Sequence, residues 1–208
     1  MLAITPDTLS GRERTHLFNA LTGYKSLHLV GTKNKAGQLN CAPFSSVFHL
    51  GADPASIGLI HRPTTVEKHT YENILESGVY TINAVSTHMH LSAHQASARY
   101  ERHESEFDQC GLTPIFRADF EAPFVAGSPI QIGLELHETH QLFNGTHLLV
   151  GLVKHVFLPE NSFTDSGFLD LEKLNLAAVG GLDSYYSGTF LERLSYAKPN
   201  SELTRLTP

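Results

Sequence analysis

The sequence predicts a mainly β protein with short helices, an α+β chain whose antiparallel strands close into a barrel. Three observations lead to that class. Ile130, Ile132, Leu134 and Leu136 alternate with Gln131, Gly133, Glu135 and His137, the period of a strand with one buried face. Asn144-Gly145, the strongest short hairpin signal, then leads into a nearly continuous apolar run from His147 to Leu158. The helical segments are short and do not alternate regularly with strands, unlike the crossovers of a parallel sheet. A closed antiparallel barrel removes exposed edges, and the short helices are expected to plug its ends.

Taken in order, Ser10-Gly11-Arg12-Glu13 has the form of a capping box, with Leu17, Phe18 and Leu21 following at helical spacing and Gly23 ending the helix. Leu27 to Thr32 reads as a strand and Lys33 to Gly37 as a polar turn. Asn40 to Leu50 resumes extended structure, Asp53-Pro54 breaks it, and Ser56 to His61 restarts it. Thr70 to Glu76 is a short helix capped by Thr70, with Tyr71, Ile74 and Leu75 as its buried stripe and Gly78 as its stop. A strand from Val79 to Val85 and a second helix from Thr87 to Arg99 follow. Ser105 to Cys110 is one helical turn closed by Gly111. The polar tail after Pro199 is expected to be loosely held.

At 208 residues, 41% of them hydrophobic and 17% charged, the chain suits one globular domain, 1–208, with a C-terminal extension from about 159–208. A net charge of −6 disfavours nucleic acid and anionic membranes as partners, while a local basic pocket for one phosphate remains open. The N-terminus lacks the basic and apolar regions of a secretory signal, and no apolar run reaches the ~20 residues that span a bilayer. Cys41 and Cys110, the only cysteines, cannot build a disulfide framework, so a cytoplasmic protein with reduced thiols is expected. In that setting Asn144-Gly145-Thr146 is a turn rather than a glycosylation site.

The most informative stretch begins with Asn40-Cys41-Ala42-Pro43-Phe44-Ser45-Ser46 and continues through Asp53-Pro54 and His61-Arg62-Pro63. Thr70-Tyr71-Glu72-Asn73-Ile74, Val79 to Asn83, Glu104 to Leu112 and Ala122-Pro123 complete it. These elements, in this order, resemble the flavin reductase-like, FMN-binding split β-barrel family over roughly Tyr24 to Tyr186. The resemblance implies a homodimer that holds FMN non-covalently, with Asn40, Ala42, Pro43, Phe44, Ser45, Ser46, His61, Arg62, Thr70, Asn73 and Tyr185 as candidate contacts.

The residue types suit that cofactor. Ser45, Ser46, Arg62 and Thr70 offer hydroxyls and a guanidinium to a phosphate dianion, and Thr70 adds a helix start. As a reading of spacing alone, Thr70 serves equally as an N-cap, and Arg62 as a surface arginine. Ala42, Pro43 and Phe44 offer an apolar wall to the ring, with Pro43 tolerable only at a strand edge or irregularity. Asn40 and Asn73 suit ribityl hydroxyls or the ring edge. After Gly180-Gly181, Tyr185 or Tyr186 flanks the ring, faces the substrate side, or simply packs.

The resemblance further implies an NAD(P)H:FMN oxidoreductase, in which NADH or NADPH binds transiently and gives hydride to FMN. No catalytic acid, base or nucleophile is singled out. Two rivals differ in class: a non-catalytic FMN-binding electron carrier, and an FMN-dependent enzyme acting on a specific small molecule or electron acceptor. A metal is not expected. His90 and His94 share a helix face that His88 leaves, and His137 and His140 fall on opposite faces of a strand.

Overall fold

The computed structural model describes residues 1–63 and 67–206. The chain is mostly β, 37% strand and 16% helix. Its first α-helix is α1 (Gly11–Ala20), where the Ser10 capping box forms and Gly23 adopts φ +76° as expected. None of the residues of α1 is buried, so the Leu17, Phe18 and Leu21 face stays largely open. The strands β1 (Lys25–Ser26), β2 (His28–Lys33), β3 (Leu39–Phe44), β4 (Val47–Ala52) and β5 (Ala55–His61) follow. Helix α2 (His69–Ser77), strand β6 (Val79–Ala84), helix α3 (His90–Gln95) and helix α4 (Glu106–Gln109) come next. The remaining strands are β7 (Pro114–Ile115), β8 (Phe124–Val125), β9 (Gln131–Gln141), β10 (His147–Phe157), β11 (Ala177–Gly180), β12 (Ser184–Ser187), β13 (Arg193–Leu194) and β14 (Arg205–Leu206).

Seven strands form one antiparallel sheet in the order β3-β2-β6-β9-β10-β5-β4. Its two edges, β3 and β4, are consecutive in the chain and joined only by Ser45 and Ser46. A sheet whose edge strands are tied by two residues must roll up, yet no ladder joins β3 to β4 among the described residues. The barrel is closed covalently and split in its hydrogen bonding. The stretch from Asn40 to Leu50, expected as one extended piece, is therefore two strands. Ser46 fixes the break, its hydroxyl donating to Ile60 O at 2.9 Å while its carbonyl accepts from Ile60 N at 3.0 Å.

Because successive side chains of a strand face opposite ways, β2 serves two cores. Val30 enters the barrel interior with Leu59, Ile74, Tyr80, Ile82, Leu134 and Leu149. Leu29 points to a second core with Cys41, Val85, Ala93, Phe107 and Val179, beneath α3, α4 and a small sheet of β1, β11 and β12. Gly31 lies against the Pro123 carbonyl, where a Cβ would collide with backbone.

Several local expectations change. Helix α2 starts at His69 with Lys68 as N-cap, so Thr70 lies inside the first turn and does not cap it. Its buried residues are Thr70, Asn73 and Ile74, whereas Leu75 is exposed, because the inward face carries side-chain hydrogen bonds to β2 and β3. Helix α3 stops at Gln95 rather than near Arg99; Ser97 N and Oγ both donate to His94 O, turning the chain out of the helix. Gln131, expected on a polar outer face, is buried under β8 with its amide donating to Val125 O at 2.7 Å. The β9–β10 connection is longer than a two-residue turn, and of Asn144 and Gly145 only Gly145 has positive φ. The tail is not featureless, since β13 pairs with β14; residues 207 and 208 of the extension lie outside the described residues.

Candidate functional site

A cleft of about 740 Å³ runs along the unpaired edge of β3. That volume lies within the ~300–1,000 Å³ of small-molecule sites. Apart from β3, its walls include the N-terminus of α2, the segment from Ala96 to Tyr100, and the turn and strand carrying Gly181 and Tyr185. Asn40, Ala42, Pro43, Phe44, Ser45, Ser46, His61, Arg62, Thr70 and Tyr185 all line it. Asn73 does not. It is buried behind the cleft, with Nδ2 donating to Thr32 Oγ1 at 3.1 Å and Oδ1 without a hydrogen-bond partner.

The edge of β3 explains why a proline is tolerated there. Cys41 N–H points away from β2 and donates to Glu106 Oε2 at 2.9 Å. By strand alternation Pro43 turns the same way, where its missing N–H breaks no ladder. The Pro43 carbonyl faces the same open edge and borders the cleft. The tilted rings of Phe44 and His61 lie 5.9 Å apart, and those of His61 and Tyr71 5.1 Å apart. His61 Nδ1 is 2.8 Å from Arg62 O, a group that only accepts, so Nδ1 carries the proton. Burial lowers the His61 pKa and keeps the ring neutral at pH 7.

Thr70 and Asn40 are both buried, with Asn40 Nδ2 donating to Thr70 Oγ1 at 2.9 Å. The Thr70 hydroxyl proton is left for another acceptor. Its neighbourhood supplies more: the first-turn N–H groups of α2 have no intrahelical acceptors. Ser45 forms no side-chain hydrogen bond among the described residues, while the Ser46 hydroxyl proton is committed to Ile60 O. Arg62 is exposed and reaches Asn19 Oδ1 at 2.7 Å, beside Lys25, whose Nζ donates to the carbonyls of Asn19 and Gly181. Partial burial and the nearby Arg62 charge lower the Lys25 pKa.

Charge is distributed unevenly here. Lys25, Arg62, Lys68 and Arg99 line the cleft, and none forms an ion pair with a carboxylate among the described residues. The two acidic residues of the lining are otherwise engaged. Glu67 pairs with Arg102 at 2.7 Å, and Glu106 is buried against Cys41 N–H, its pKa raised by that burial. An acidic chain therefore carries a locally electropositive cleft, an arrangement that favours a phosphate-bearing ligand.

Lys25, Lys68, Arg99, His94 and Glu106 were not expected in the site. Lys68 stands two residues before Thr70 and shared its sequence signal. The others come from distant segments, and Arg99 reaches the cleft only because α3 ends early. The histidines of α3 diverge, His90 towards Thr87 O, His94 towards Tyr185, and His88 nearby towards Asn175. Among the described residues no group of three or more His, Cys, Asp or Glu side chains is placed to hold a metal.

Similarity to known proteins supports the geometry. A split-barrel protein of Shewanella frigidimarina assigned to the flavin reductases is 44% identical, covering 92% of this chain and 96% of that one, with a TM-score of 0.88. Flavoredoxin of Desulfovibrio vulgaris is 28% identical, covering 86% and 92%, with a TM-score of 0.70. Nitrilotriacetate monooxygenase component B of Bacillus cereus shares the fold at 22% identity, covering 93% and 98%, with a TM-score of 0.84. The flavin reductase like domain matches residues 25–172. That match spans well over half of the sequence, and the chain is a member of the flavin reductase-like family with its split-barrel fold.

Proposed function

We propose that the chain binds FMN non-covalently in this cleft and acts as an NAD(P)H-dependent FMN oxidoreductase. The observation that carries the proposal is the set of cations without carboxylate partners, placed beside an unpaired strand edge. A phosphate dianion suits Arg62, Lys68, the Thr70 hydroxyl and the open first turn of α2. The flat ring suits the Ala42–Phe44 wall, and Asn40 borders both ends of such a ligand. Asn73 acts one layer behind, steadying Thr32 and the helix rather than touching the cofactor.

FMN, when bound, would supply two-electron hydride chemistry between NADH or NADPH and an acceptor. The protein binds and orients the ring and keeps neutral His61 beside Phe44. The lining cations offset the negative charge of a reduced flavin. We place residues 1–208 in one domain whose C-terminal extension, from about 159–208, supplies the Gly181–Tyr185 side of the cleft. We further propose a cytoplasmic homodimer without nucleic-acid or membrane partners. Open apolar side chains on α1, at its C-cap and on β4, Phe18, Leu21, Phe48 and Leu50, suit contact with a second copy. Among the described residues, no helix is long and apolar enough to cross a membrane.

The test is an FMN titration followed by visible absorption, with NADH and NADPH then added anaerobically. Flavin that binds and bleaches supports the oxidoreductase. Flavin that binds but does not bleach favours an electron carrier or an enzyme for one small molecule. Absence of FMN binding defeats the reading.

A further inference from the structure

One residue of the cleft lining precedes the flavin reductase like domain, whose match begins at residue 25. Asn19, near the C-terminus of α1, lines the cleft beside Lys25 and Arg62. Both ends of its amide are engaged. Nδ2 donates to Thr15 O, one turn back on the same helix, at 2.7 Å. That bond leaves Oδ1 facing Arg62, whose guanidinium donates to it at 2.7 Å. The backbone of Asn19 is held as well, its carbonyl accepting from Lys25 Nζ at 2.8 Å while the same ammonium donates to Gly181 O at 3.1 Å.

Two arginines near the start of α2 are held in opposite ways. Arg102 lies between the carboxylates of Glu67 and Glu72, which offset its charge. Arg62 is held by a neutral amide and has no carboxylate partner among the described residues. Its charge is felt by Lys25, which has no acid beside it either. Two like charges side by side repel each other, and a bound anion offsets that repulsion. The other cations of the lining, Lys68 and Arg99, have no side-chain hydrogen bond among the described residues. A long side chain loses rotamer freedom when it grips a ligand, and one already held loses less.

We infer that Asn19 is a positioning residue for the phosphate end of the cleft: it fixes the Arg62 guanidinium there without cancelling its charge, and so makes the cleft prefer a phosphorylated flavin to an unphosphorylated one. This rests on the FMN reading above. The competing role for the contact is structural, with Arg62 and Lys25 as cations that merely complement the C-terminal dipole of α1.

The test titrates FMN and riboflavin, which differ only in the phosphate, into the full chain and its variants, followed by flavin fluorescence. The quantity read is the ratio of the two dissociation constants. Because α1 buries no residue, the variants should keep the fold, and thermal melts check that they do. Asn19→Ala frees Arg62 and should cut the preference for FMN by about 2–10-fold. Asn19→Asp still attracts the guanidinium but pairs its charge, and should cut the preference further, by about 10-fold or more. Asn19→Gln keeps a neutral amide and should cut it least. In an Arg62→Ala background, Asn19→Ala should change the ratio no further.

A preference unchanged in both Asn19→Ala and Asn19→Asp overturns the inference, and a lowered melting temperature beside it would leave the contact as a helix cap. A further loss on top of Arg62→Ala also overturns it, since Asn19 would then act on the ligand without Arg62. Equal affinity of the unaltered protein for the two flavins does the same. Failure of the unaltered protein to bind FMN overturns the functional reading together with this one, while FMN binding that ignores Asn19 overturns this one alone.

Discussion

The two edges of the barrel sheet are separated by two residues of chain and are built in opposite ways. Strand β3 has no exposed residue, with Asn40 and Cys41 buried, Pro43 facing its open edge, and Glu106 satisfying the Cys41 N–H. Strand β4 has no buried residue, and Phe48 and Leu50 stand 40% and 42% exposed. An unpaired edge is a template for association unless something blocks or uses it. The β3 edge is shielded by α4 and lined by cations, which leaves room for a small ligand. The β4 edge has no such cover in the single chain, so it is the edge available to a second copy.

The largest test of this contrast sets one leucine against another. Leu29, opposite Pro43 in the β2–β3 register, is fully buried in the core under β3. Leu29→Ala should cost about 2–5 kcal/mol, whereas Leu50→Ala on β4 should stay within about 0.5 kcal/mol in the monomer; urea denaturation measures both. Comparable losses at the two sites would erase the distinction.

Acid should also act on the β3 side. His28 on β2 pairs with Phe44 of β3, and burial lowers its pKa from 6.5 to about 4. The unfolded chain therefore binds a proton that the folded chain resists. This group's stability is complete above about pH 6.5 and is lost as pH falls towards 4, a loss on the order of 3 kcal/mol. His28→Leu should flatten that part of the stability–pH curve, and thermal melts between pH 7 and 4 would show whether it does.

Ligand binding should depend on the same side. Arg62→Ala should weaken FMN binding by about 1.5–3 kcal/mol if its guanidinium makes a charge-assisted bond to the phosphate. Riboflavin, which lacks the phosphate, should be much less affected, and equal losses for both flavins would remove Arg62 from the phosphate end. The smallest change in folding stability is expected for Leu50→Asp. Its effect should appear instead in sedimentation, as a shift towards monomer; an unaltered dimer would place the contact elsewhere.

How much of this was legible depends on distance along the chain. The capping box at Ser10, the stop at Gly78 and the turn at Gly111 rest on neighbours within a few residues, and all formed where expected. The residues from Asn40 to Thr70 assembled around one cleft because β3, the end of β5 and the start of α2 meet there. Asn73 lies outside the cleft lining because it sits on the buried face of α2, and sequence does not say whether such a face looks into a core or a cleft. Leu75 and Gln131 were misjudged for a related reason. Polarity predicts burial only when the hydrogen-bond partners waiting inside are known.

The amino-acid pattern alone determined a mainly β chain, the family it resembles, and most of the residues along one wall of the cleft. These depend on local periodicity, turn chemistry and a contiguous motif. Only the tertiary structure decided that Asn40 to Leu50 divides into opposite sheet edges, that Arg99 and Lys25 join the cations of the cleft, and that Tyr185 meets His94. Lys25 meets Gly181 and His94 meets Tyr185 across 156 and 91 residues of chain, and it is the packing of distant segments, not any local preference, that brings them together.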